Sequence, residues 1–494
     1  MRNKILATIL VLTMGGWQMQ EASAQTRLVV SLSIDQLRTD YMEAFSSHYG
    51  TQGFKRLMRD GRVYLQADFS FQVKDRASAM AAIYTGTTPS TNGIIGSQWL
   101  DRETGRTRFC VDDNSFMGNN TSENSSAAYL LSSTLPDELK ISTQGQALVY
   151  AIAPFRDAAI LSAGHAANGA WWINPETGKW CSTTYYKDFP QWLNDFNTQQ
   201  GPDLRVKDKD RVNRYRHLLT TPAVNQEVNR LTAELLSNSE MGQDSTPDLL
   251  ALTYYAGTYQ HTSLQESQQE MQAVYVGIDQ CLADLLHLLE QRVGLNHVLL
   301  CITSTGFTDP EYNDLTPYQI PTGEFYLNRC ATLLNMFLMA TFGEGDYVEH
   351  YYDQQIFLNH KLIEDKRLDM AEIQQKASEF LVQFSGVDQV YSAYRLLLAP
   401  YTERTERTRN GYHRKRSGDL VIEVLPGWKV MNEENQVKKM VSKAVTPAPC
   451  ILFSPDFKAK TIATPIQVER IAPTIANAIH IRAPNGCSLS PLTE

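Results

Sequence analysis

Short β-branched apolar runs, alternating with stretches of helical periodicity, constrain this chain more than any other feature. Leu28–Ile34 (LVVSLSI) and Val298–Thr303 (VLLCIT) are apolar with little interruption, the pattern of strands buried on both faces. Ala147–Ala153 and Asp248–Tyr255 are further strand candidates. The clearest helix is Glu266–Val293, where Met271, Val274, Ile278, Leu282, Leu285 and Leu289 recur at helical spacing and Gly294 closes the pattern. Gly53–Met58 begins a short helix that stops at Gly61, Val63–Phe69 alternates like a strand, and Ala77–Tyr84 is helical up to Gly86. Strands alternating with helices predict an α/β fold, a mostly parallel sheet between helices.

The stretch Asp309–Tyr412 has a different character. It carries Tyr- and Phe-rich strands and then an amphipathic helix over Asp369–Phe384, which predicts one inserted smaller subdomain. The expected organisation is a core over 25–308, the insertion over 309–412, and the core again over 413–494, with strands at Asp419–Leu425 and Cys450–Phe453.

At 494 residues the chain can bury a large core without staples. Its 45 Lys and Arg against 54 Asp and Glu give a net charge of −9, which argues against nucleic acid as a partner. Arg2 and Lys4, the apolar run Ile5–Met14 and Ala22-Ser23-Ala24 form a secretory signal pattern over residues 1–24. The mature protein is therefore expected to be exported, to the periplasm if the host is Gram-negative. No later apolar run reaches the length of about 20 residues that a membrane span needs. The seven cysteines show no C-x-x-C and leave at least one unpaired. Most read as small buried apolar residues, with one disulfide left open.

In parallel α/β sheets ligands bind beyond the carboxyl ends of the strands. Three such ends carry Asp35, Gly257–His261 and Ser304–Phe307, and Arg76 opens a nearby helix. Ordered segments around them resemble the alkaline phosphatase superfamily, in the branch of bacterial single-chain alkaline phosphatases related to type I phosphodiesterase/nucleotide pyrophosphatases. These include Ser33-Ile34-Asp35-Gln36, Gly53-Phe54-Lys55-Arg56-Leu57, Ile83-Tyr84-Thr85-Gly86, Gly96–Gly105, Leu135-Pro136-Asp137-Glu138-Leu139, Ala163–Ala170, Lys415–Asp419 and Ala472–Ala476. The resemblance implies an alkaline-phosphatase-like α/β sandwich. It also implies hydrolysis of phosphate esters by two zinc ions, six Asp/His ligands and a Thr or Ser nucleophile, the cations clamping the attacking and leaving oxygens.

Carried over residue by residue, that machinery is incomplete. Asp35 keeps the first ligand. The Asp-x-x-x-His signature reads Gly257-Thr258-Tyr259-Gln260-His261, so His261 alone remains. Thr-x-Asp-His-Gly reads Thr303-Ser304-Thr305-Gly306-Phe307. The last His falls near Lys438, in a stretch from 414 to 479 that has no His. Asp35 and His261 are thus remnant ligands of different metal ions, and no bound cofactor is expected. The nucleophile position holds Arg76, whose guanidinium stays protonated and cannot attack phosphorus. Ser78 is a weak substitute, since two residues along a helix point elsewhere. The phosphate-contacting Asn falls on Ser97, and a Lys-x-Arg pair falls on Phe155-Arg156-Asp157.

The leading expectation is a catalytically inactive pseudophosphatase that acts by binding or scaffolding on an unknown protein. One rival is an active phosphomonoesterase or phosphodiesterase with an altered metal site. The other is a metal-free binder of phosphorylated or sulfated ligands through Arg76 and Arg156. The same residues have plainer readings: Asp35 as a helix cap or a binder of loop amides, Arg76 as its ion-pair partner, His261 as a loop histidine. His165 would then be structural, and Trp171-Trp172 core packing.

Overall fold

The structure is a computed structural model; it describes residues 25–187, 189–199, 214–257, 264–306, 321–398, 400, 402–432, 437–440 and 447–492. The buried apolar runs form the middle of a ten-stranded sheet. Its order is Lys460–Ile462, Arg62–Tyr64, Cys450–Phe453, Val298–Ser304, Leu28–Asp35, Asp248–Tyr255, Val149–Ala153, Gly169–Ile173, Trp180–Thr183 and Gly118–Asn119. Leu28–Asp35 lies parallel to both Asp248–Tyr255 and Val298–Ser304. Cys450–Phe453 runs antiparallel to both of its neighbours.

Strand alternation divides the core into two faces. Val29, Leu299 and Cys301 pack on one, under the helices Arg76–Thr85, Arg156–Ala163 and Ile471–Ala478. Leu28, Val30, Leu32 and Ile34 pack on the other, under Ala223–Ser237 and the long Leu264–Arg292 helix. Trp171 and Trp172 are buried on opposite faces. All seven cysteines are free and six are buried, so no disulfide forms.

A second, smaller layer has its own apolar core, built around Leu334, Ile373, Leu358 and Ile422. Its four-stranded sheet runs Val348–Tyr352, Gln355–Leu358, Leu420–Val424, Val387–Ser392. The helix expected over Asp369–Phe384 spans Met370–Leu381, with Asp369 as its N-cap.

Two expectations need correction. Leu420–Val424 was expected in the core after residue 412, but it pairs inside the small sheet. The next core strand is Cys450–Phe453. An alternating strand records one buried face and not which sheet it joins. Val63–Phe69 is two short strands, Arg62–Tyr64 and Ala67–Asp68, which belong to different sheets. The expected start of the insertion at 309 lies outside the described residues, as does the signal pattern over 1–24. No helix among the described residues is long and apolar enough to cross a membrane.

Candidate functional site

The site lies where the carboxyl ends of Leu28–Asp35 and Val298–Ser304 meet the start of Arg76–Thr85. That helix starts at Arg76 because Asp75 caps it, its Oδ1 accepting from the Ser78 amide at 3.1 Å. Ala-rich packing carries it to Gly86, whose φ of 62° ends it in the left-handed region. The other Asp75 oxygen accepts from the Ser97 amide at 2.6 Å. An anion at this helix start would therefore compete with the protein's own carboxylate.

Asp35 is fully buried at its strand's end. Its Oδ1 accepts from the Thr305 hydroxyl at 2.8 Å, and that hydroxyl accepts from the Gln36 amide at 3.1 Å. Gln36 is held at φ 65°, a conformation that costs a non-glycine residue about 1 kcal/mol or more. The Arg76 guanidinium donates to Asp35 Oδ2 at 3.0 Å and, through Nε and Nη2, to Asp157 Oδ1 at 3.2 and 3.0 Å. The Phe155 ring centroid lies 3.7 Å from the guanidinium carbon. Burial pushes the Asp35 carboxyl up, and the Arg76 charge and Thr305 hydroxyl offset only part of that rise. Burial also works against the Arg76 charge, but Asp157 and Asp35 outweigh it and hold the guanidinium firmly protonated.

The sequence reading anticipated the pairing of Arg76 with Asp35. It missed Asp157 as the second acid and Phe155 as the supporting ring, although both stand in the segment matched to the Lys-x-Arg pair. Arg156 points elsewhere: it lies 3.0 Å from Asp112 and 3.7 Å from Glu123, and it donates to Ser125 at 3.2 Å. Both guanidinium groups named for anion binding are committed to carboxylates. Ser78 is buried, and its hydroxyl donates to the Asp75 carbonyl at 3.0 Å, so it does not face the cleft as a nucleophile. His165 is a structural residue, 2.8 Å from Asp137 and 3.0 Å from the Leu130 carbonyl. His261 and the side chain of Lys438 lie outside the described residues.

A pair of zinc ions needs several convergent Asp, His or Cys donors. Among the described residues no group of three or more His, Cys, Asp or Glu could hold a metal ion. The surroundings are also filled. A Cβ on Gly306, which sits at φ 61°, would lie 2.7 Å from the Phe69 ring. A Cβ on Gly257 would overlap the Tyr255 hydroxyl. Tyr255 in turn packs edge-on against Phe155, with centroids 5.9 Å apart. The described donors do not fit the zinc pair that the resemblance implies. A half-buried guanidinium between two carboxylates, set against the Phe155 ring, stands there.

Sheet order, the small layer and the placement of Asp35 define an alkaline phosphatase superfamily fold. The family model for type I phosphodiesterase / nucleotide pyrophosphatase matches residues 29–447, and the chain belongs to that family. It is 25% identical to the alkaline phosphatase PafA of Elizabethkingia meningoseptica, over 99% of this chain and 98% of that protein. It is 26% identical to the alkaline phosphatase PhoV of Synechococcus elongatus, over 95% and 93%. The crystal structure of wild-type PafA superposes with a TM-score of 0.83, covering 96% of this chain and 99% of that one at 25% identity.

Proposed function

We propose that this chain is an exported, non-hydrolysing member of its family that acts by binding a protein partner. The observation that carries this reading is Arg76, which lies 3.0 Å from Asp35 and 3.0 Å from Asp157. A guanidinium at the nucleophile position cannot form a phosphoenzyme, and its charge replaces a metal as counter-ion to the remaining carboxylates. Because Arg76 and Arg156 are both neutralised internally, a protein partner is better supported than a phosphorylated or sulfated small ligand.

One observation favours a second reading, an active phosphatase with an altered site: the chain aligns nearly end to end with proteins named alkaline phosphatases. Zinc stoichiometry measured together with turnover separates the two. After zinc loading and desalting, the purified chain is expected to retain well under one equivalent at this site. Hydrolysis of aryl phosphate monoesters and diesters is expected to match a buffer blank. Two tightly held zinc ions, or turnover that disappears in Ser78→Ala, would overturn the proposal.

A further inference from the structure

The opposite end of the central sheet, where Leu28–Asp35 begins, holds a cavity of about 810 Å³. That is within the size range of small-molecule sites. Arg62, the first residue of its strand, lines this cavity and is only 4% exposed. Its Nε donates to the Lys458 carbonyl at a long 3.4 Å, and its guanidinium carbon lies 5.7 Å from the Phe457 ring centroid. Among the described residues no carboxylate pairs with it, whereas Arg76 has two and Arg102 has one. A buried guanidinium with no direct ion pair is costly, and its planar fork suits an oxyanion.

We propose that this cavity is a second binding site, for a small organic monoanion whose carboxylate sits on Arg62 and whose apolar body lies beside Phe457. Phe457, Ile479 and Leu492 supply apolar lining, and Thr26 and Asn477 add polar groups. Asp456 lines the same cavity. One guanidinium matches the single charge of a carboxylate and leaves the second charge of a phosphate dianion unmatched in a largely buried site. The site uses none of the residues around Arg76 and is independent of whether that cleft hydrolyses anything.

Calorimetric titration of the purified full chain with phenylbutyrate, phenylbutanol and phenyl phosphate tests the proposal. Phenylbutyrate is expected to bind saturably, with the alcohol and the phosphate weaker by roughly tenfold or more. Arg62→Gln is expected to lose that preference. Because Arg62 is buried and its variant can fail to fold, Ala478→Trp provides the second arm: Ala478 lines the cavity and is partly exposed. With the fold checked by circular dichroism, Ala478→Trp is expected to abolish binding. Absence of saturable binding, equal affinity for the alcohol, tighter binding of the phosphate, or unchanged binding in Ala478→Trp would each overturn it.

Discussion

Arg76 carries the site at the residue scale. It neutralises two carboxylates that would otherwise repel each other in a buried cleft, Asp35 having a side chain only 2% exposed. Removing one partner of such a pair costs on the order of 3–5 kcal/mol, because the other charge is left stranded. Arg76→Ala is therefore expected to destabilise by about that much, and Asp35→Ala/Arg76→Ala to recover part of the loss. Urea denaturation of the two single variants and the double measures the coupling, expected at roughly 1–3 kcal/mol. Coupling of zero would show that the pair contributes nothing. Much of this was legible in the sequence, since Asp35 and Arg76 stand at positions the family motifs mark. The infill was not. Phe69, Phe155 and Tyr255 read as ordinary core aromatics, and only packing brings them to Gly306, Arg76 and Gly257. For the same reason Arg76→Thr is not expected to gain phosphatase turnover in an aryl phosphate assay. Gly257 and Gly306, which the resemblance sets at ligand positions, carry no donor side chain, and a Cβ at either would overlap Tyr255 or Phe69.

At the scale of elements, the Leu135–Ser142 helix shows how a terminus can be tied down by charge. Thr134 and Asp137 form a capping box at its start, and Asp137 also accepts from the His165 and Ala166 amides at 2.7 and 2.9 Å. Burial works against the His165 charge, but the Asp137 bond and charge outweigh it and leave the imidazole raised. Burial likewise raises Asp137, and His165 and the Thr134 amide more than reverse this. A raised histidine contributes fully below its unfolded value of about 6.5 and loses that contribution as pH rises through its folded value. A lowered carboxylate contributes above about 3.9 and loses that contribution as pH falls through its folded value. The pair therefore contributes most between roughly pH 4 and 6.5. Wild type is expected to lose more stability than His165→Asn when unfolding is compared at mildly acidic and alkaline pH, and parallel losses would refute the linkage. The strands and long helices of the core were readable because burial on both faces leaves an unbroken apolar run. The sheet that Leu420–Val424 joins is not legible in the same way, because its burial alternates and its partners, Gln355–Leu358 and Val387–Ser392, are fixed by tertiary structure alone.

At the scale of the molecule, the core and the small layer keep separate apolar clusters and meet through polar contacts. Asp419 is central to that seam. Its Oδ2 accepts from both terminal nitrogens of Arg102 at 3.0 Å and from the Leu358 amide at 2.7 Å, and its Oδ1 lies 2.8 Å from His360. Lys74 reaches Asp353 at 3.0 Å, and Asn410 donates to the Ser70 carbonyl at 2.9 Å. The core partners of these last two contacts lie on the loop that leads into Asp75 and Arg76, so the small layer steadies the approach to the candidate site. Seams of this kind couple domains less tightly than a shared apolar core does. Hydrogen bonds to a charged group contribute about 1.5–3 kcal/mol each, and Asp419, with a side chain only 6% exposed, anchors several of them. Asp419→Ala strands the Leu358 amide and removes the counter-charge of Arg102, which is part-exposed and keeps its contacts to the Leu358 carbonyl and His360. The expected result is a small layer that loosens before the core. Limited proteolysis of the variant should then cut first within residues 324–432 and leave a resistant core, while the wild type resists under the same conditions. Calorimetry should resolve a new low-temperature transition in the variant. A variant that melts in one step, merely displaced to lower temperature and with unchanged cleavage sites, would show that the two layers unfold as one unit and that the seam does not limit their cooperation.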